Sequence, residues 1–158
     1  MKNTITIKRN ELQQQIDLRN YYMGESAKRK DLDATTIQSN KDDEELLYMF
    51  IKRACNELMS AVALRFPYIG INCGEEDIEI SFDTESEYPE HLLPMLQQAI
   101  TDYIVNEATM QWLLTRRPEM AQSYISLRTS LYSNVQHFFG KIYSRKKLRR
   151  RATNLAGI

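Results

Sequence analysis

Apolar residues recur at three- and four-residue intervals along two long stretches of the chain. Leu47, Phe50, Ile51, Ala54, Leu58, Met59 and Val62 mark one face of a helix of about 25 residues that begins near Asn40. Ser39 stands where a cap belongs, with Asp42 three positions on as a variant capping box. Asp42, Asp43, Glu44 and Glu45 set negative charge at the positive end of the helix dipole. Pro67 closes the stretch, because it disfavours helical geometry at Phe66. A second stripe, Leu92, Leu96, Ala99, Ile100, Tyr103, Ile104, Ala108 and Trp112, predicts a helix from Glu90 to Thr115, and Arg116 and Arg117 complement its C-terminal dipole. Pro118 then opens a third helix, striped by Met120, Tyr124, Leu127, Leu131, Val135, Phe138 and Phe139. Gly140 is expected to end or weaken it. The short connection makes these last two helices an antiparallel pair.

Between the first two helices the period changes to two. Ile78, Ile80 and Phe82 alternate with Glu79, Ser81 and Asp83, which predicts a strand with one buried face, paired with "YIGIN" across a turn at Cys73–Glu76. A lone hairpin is marginal in water, so it must lie on the helices or on another chain. The first forty residues are less regular. "TITIK" reads as a short strand, and Leu12, Ile16, Arg19 and Met23 have loosely helical spacing. "GESAKRKDLDATTIQSN" has few apolar anchors and reads as loop, or as an arm ordered by a neighbour.

The expected fold is therefore mainly α. Its core is three helices, two long antiparallel ones plus an N-terminal one, with a small β-hairpin and extended terminal arms. The boundaries are an arm over 1–39, a helical domain over 40–143 with the hairpin near 68–83, and a basic tail over 144–158. No stretch is apolar for the roughly 18 residues a membrane helix needs, and "MKNTITIKRNELQQQ" lacks a signal-peptide core, so the expected site of synthesis and residence is the cytoplasm. Cys55 and Cys73 have no partners at metal spacing and are expected as free thiols.

Formal net charge is zero, yet the charges are segregated. From Phe66 to Glu107 there are ten acidic residues and no Lys or Arg; from Met120 onward there are eight basic residues and no acid. Opposed blocks of this kind steer and register association between copies. The alternative is a tail that folds back on its own acidic middle or stays solvated. Catalytic chemistry is hard to find. His91 and His137 stand apart from other ligands, Cys73 in "NCG" has no identifiable base, and the five glycines form no phosphate loop. The cluster Glu75, Glu76, Asp77 and Glu79 lacks the calcium-loop pattern and reads as a solvated turn. The expectation is a protein that is not an enzyme and that holds no cofactor or metal. The tyrosines suit helix packing and interfaces; only Tyr143, near Lys141 and Arg145, has the basic neighbours of a stacking platform.

The tail "RKKLRRRATNLAGI" carries six basic residues in seven positions, Arg145, Lys146, Lys147, Arg149, Arg150 and Arg151, and then an apolar ending with Leu155 and Ile158. Phosphate binding without sequence preference, solvation, and docking on a partner's acidic surface are its three readings. A tail made only for DNA has no use for the apolar ending, which favours docking. Glu75, Glu76, Asp77, Glu79, Asp83 and Glu85 form the corresponding acidic patch, expected between subunits.

The order of elements, and above all "AITDYIVNEATMQWLL" followed by "PEMAQSYISLRTSLYSNVQHFF", resembles the head-tail connector, or adaptor, proteins of tailed bacteriophages over residues 40 to 143. The resemblance implies a virion protein made in the host cytoplasm. It implies a ring, usually twelve-fold, beneath the portal, which continues the DNA channel and offers a platform to the tail. Its implied partners are further copies of itself, the portal protein, downstream tail or ring proteins and, transiently, passing duplex DNA, with no membrane. Residues 145 to 158 take by position the role of the segment that reaches into the portal, and the acidic middle would face a neighbouring subunit or the channel. The alternative is a small nucleic-acid-binding protein that grips phosphate with the basic tail.

Overall fold

A computed structural model describes residues 2–30, 37–66, 69–83 and 90–155, with side chains described through Lys141. The chain is mainly helical, with four long helices and one three-stranded antiparallel sheet among the described residues. Strand β1 (Lys2–Lys8) leads directly into helix α1 (Arg9–Lys28); helix α2 (Glu44–Arg65) precedes the hairpin of β2 (Ile69–Cys73) and β3 (Asp77–Asp83); helices α3 (Leu92–Arg116) and α4 (Gln122–Leu155) complete the order.

The predicted hairpin is present, and β1 enlarges it. The strand order is β1-β3-β2, with Ile5 opposite Ile80 and Ile7 opposite Ile78 on the buried face. This answers the marginal stability of a lone hairpin from within the chain, since a third strand and a packed face supply what two strands lack. Residues 2–28, expected as part of an arm, thus belong to the core. Helix α1 buries Leu12, Ile16, Asn20, Gly24 and Ala27, four of them at intervals of four. Two of those five positions are Asn and Gly, so the stripe that anchors the helix is only partly apolar in the sequence. A Cβ at Gly24 would stand 2.6 Å from Cγ of Gln38, so a larger residue there needs the Gln38 side chain to shift.

The cap of α2 lies one residue later than expected. Asn40 Oδ1 accepts from the Asp42 N–H at 2.8 Å and Asp43 Oδ2 accepts from the Asn40 N–H at 3.0 Å, a reciprocal capping box on the 3-10 turn Lys41–Asp43. Ser39 instead donates its hydroxyl to Asp17 of α1. The predicted face of α2 is buried at Leu47, Ile51, Ala54, Leu58, Met59 and Val62.

Helix α3 is the axis of the domain. It packs against α1, α2 and α4, and is covered along most of its length. Trp112 is wholly buried and donates Nε1–H to the Ile37 carbonyl at 2.7 Å, fixing the segment before α2 to the core. Helix α4 follows a 3-10 turn at Pro118–Met120 and packs chiefly on α3. Gly140 does not end it: the helix continues through Gly140 to Leu155, and nothing lies within 4 Å of where a Cβ would stand. The packing comes from Val135, Phe138 and Phe139. Leu127, expected in the stripe, is half-exposed. Phe139 stacks on Phe66 (centroids 5.9 Å) and meets Phe82 edge-on (5.8 Å), which fastens α4 to the end of α2 and to the sheet.

Candidate interaction site

The predicted acidic residues are gathered by the hairpin. Glu75 and Glu76 occupy its turn, and Asp77, Glu79 and Asp83 share the outward face of β3. Glu85 lies outside the described residues. The turn is anchored through its backbone, leaving the carboxylates of Glu75 and Glu76 exposed: the Arg9 N–H donates to the Glu76 carbonyl at 2.9 Å, Arg9 Nη1 to the Glu75 carbonyl at 3.0 Å and the Tyr48 hydroxyl to the Gly74 carbonyl at 3.0 Å. The Arg9 guanidinium stacks 3.8 Å over the Tyr48 ring. Strand β1 sets Lys2 opposite Asp83 and Lys8 opposite Asp77, so the acidic strand has basic cross-strand neighbours in its own chain.

Arg145, Lys146, Lys147, Arg149, Arg150, Arg151 and Leu155 stand on the last turns of α4; their side chains, and Ile158 entirely, lie outside the described residues. The backbone still fixes where this segment starts. The Tyr132 ring meets that of Tyr103 at a tilt, centroids 6.2 Å apart, and Arg128 contacts Glu107, so α4 runs antiparallel to α3. Extending that pairing sets Leu92, the first residue of α3, level with Tyr143. The remaining turns, about 18 Å at 1.5 Å per residue, pass the end of their supporting helix.

The sequence did not reveal a groove of about 900 Å³ between α2 and α4, floored by Tyr103 of α3. Its walls include Ala61 and Leu64 of α2 and Arg128 and Tyr132 of α4, and Leu64 is 89% exposed at its edge. Four charges are linked around Glu57 and Arg128 of its lining. Arg53 Nε lies 2.9 Å from Glu57 Oε1, Arg128 Nη2 lies 3.6 Å from Glu57 Oε2, and Arg128 Nε lies 3.0 Å from Glu107 Oε2. Glu107 is 1% exposed, and neither carboxylate oxygen has an aligned hydrogen-bond donor. Burial pushes its carboxyl above the usual carboxylate range, with Arg128 opposing that rise. Burial likewise raises the Tyr103 phenol, and the Tyr103 hydroxyl helps hold the Arg128 charge. Among the described residues, the two charge blocks read from the sequence therefore meet at Glu107 and Arg128. The visible signal was a carboxylate one helical turn after Tyr103, on the apolar stripe of α3.

Among the described residues no group of three or more His, Cys, Asp or Glu is arranged to hold a metal ion, and no helix is long and apolar enough to cross a membrane. Cys55 is buried and Cys73 partly exposed, both as free thiols. The features define a mainly helical protein with a small sheet, an apolar groove and a long terminal helix with a basic end. No family model matches the chain, and comparison with curated proteins and with solved structures returns no match.

Proposed function

We propose that this chain is a structural, non-enzymatic protein of a phage virion: a head-tail connector that forms a ring beneath the portal, extends the DNA channel and presents a docking platform to the tail. The observation that carries the reading is the course of α4. A single helix runs unbroken from the bundle through the basic segment to Leu155 and outlasts the helix that supports it. A basic end that leaves the domain as a helix is a shape for reaching a second molecule. A charged segment made only to neutralise its own domain would gain nothing from that overhang. The resemblance in element order over residues 40 to 143 supplies the partners: further copies, the portal and the next tail or ring protein, with passing duplex DNA touching the ring transiently.

Electron microscopy and native mass measurement of the purified chain, alone and with a portal ring, test this. The proposal expects closed rings, formed either by the chain alone or on the portal. A monomer that ignores the portal yet binds duplex DNA, losing affinity steeply as salt rises, would replace it with the nucleic-acid-binding reading.

A further inference from the structure

The domain presents two apolar surfaces. One is the groove between α2 and α4, and the other is a ridge on α1 where Leu18, Tyr21 and Tyr22 are 54%, 52% and 64% exposed. Large apolar side chains clustered on one helix face, with two aromatic rings edge-on at 5.8 Å, are costly to leave in water and mark a contact surface. One chain cannot join its own pair, because Leu12 and Ile16 fix α1 in the core with the ridge facing outward.

We propose that the α1 ridge of one copy seats in the α2–α4 groove of the next. Charge and register select this occupant. Glu11, exposed at the leading end of the ridge, is in no ion pair among the described residues, and α2 carries the exposed cations Lys52 and Arg53, the latter also paired with Glu57, just before the first groove residue on that helix, Asn56. Glu11 precedes Leu18 by seven residues and Tyr22 by eleven; Arg53 precedes Ser60 by seven and Leu64 by eleven. At about 1.5 Å per residue, a parallel α1 that sets Glu11 against Arg53 brings Tyr22 to Leu64 at the apolar end of the groove. Ridge and groove are different patches, so the contact is heterologous. Repeated copy to copy, it closes a ring when the rotation between copies allows, as the connector reading on which it rests requires.

Two full-length variants test it, each changed only at exposed positions. Leu18→Asp with Tyr22→Asp removes the ridge and keeps the groove; Leu64→Asp spoils the groove and keeps the ridge. Sedimentation and native mass of each at matched high concentration should give rings for the unmodified chain and monomers with unchanged melting for each variant alone. An equimolar mixture should give a dimer of one copy of each and nothing larger, since only one ridge and one groove remain. Rings from either variant, or a mixture that stays monomeric while the unmodified chain forms rings, would overturn this interface and leave the ring standing. An unmodified chain that stays monomeric under the same conditions would overturn this interface, and one that also forms no ring on a portal would overturn both.

Discussion

Replacing Gly140 with alanine decides, by the sign of one free-energy change, whether α4 is continuous. In the structure Gly140 is an interior helical residue, just after Phe138 and Phe139 lock α4 to the core, with open space where the methyl group would go. Glycine in a helix interior is less stable than alanine by roughly 0.5–1 kcal/mol, because the unfolded chain loses more freedom there. Gly140→Ala should therefore stabilise the protein by about 0.5–1 kcal/mol. In a chain of this size that raises the melting temperature by about 1–4 °C. Were the helix to end at this glycine in a left-handed cap, the added Cβ would cost about 1 kcal/mol or more and melting would fall. Urea denaturation and thermal melts of both proteins, with far-ultraviolet dichroism to follow helix content, give the answer. Destabilisation, or lost helix signal in the variant, would refute the continuous α4 and with it the basic overhang.

Three further outcomes are expected. The raised carboxyl of Glu107 means the native state holds this proton more tightly than the unfolded chain. Its contribution to stability is complete below its ordinary value of 4.5 and is lost as pH rises through the folded value, so urea midpoints across pH should fall over that window and the slope should flatten in Glu107→Gln. Parallel profiles for the two proteins would contradict the burial argument. Trp112→Phe leaves the Ile37 carbonyl buried without its donor and should cost about 1–3 kcal/mol in equilibrium unfolding; an unchanged midpoint would mean that carbonyl finds another partner. Cys55, buried and with its thiol pushed up by desolvation, should resist a thiol reagent in the native protein while Cys73 reacts, both reacting after unfolding; rapid double labelling of the native state would contradict the packing of α2.

Helix α2 was readable because every position it buries is apolar, α3 because eleven of its fifteen buried positions are, and the hairpin because its alternation is strict. Helix α1 was only faintly readable, since Asn20 and Gly24 occupy its buried face where a pattern search expects leucine or valine. Gly140 misled because glycine signals a helix end by propensity, whereas here Phe138 and Phe139 carry the helix past it through tertiary contacts. The acidic turn and basic tail were visible as runs of charge. The groove was not, because Leu64, Tyr103 and Arg128 belong to three different helices and meet only once α2 and α4 have packed on α3. The pairing of Glu107 with Arg128 likewise needed the antiparallel register, which spacing within either helix does not encode.

Deleting residues 145–158 from the full chain and measuring both the melting temperature and the capture of the protein by a portal ring tests the central claim most directly. A segment that starts where α3 stops supporting α4 should leave the melt within about 2 °C of the intact protein, and removing it should abolish capture. A large fall in melting temperature, or undiminished capture, would contradict a docking role for the basic end of α4.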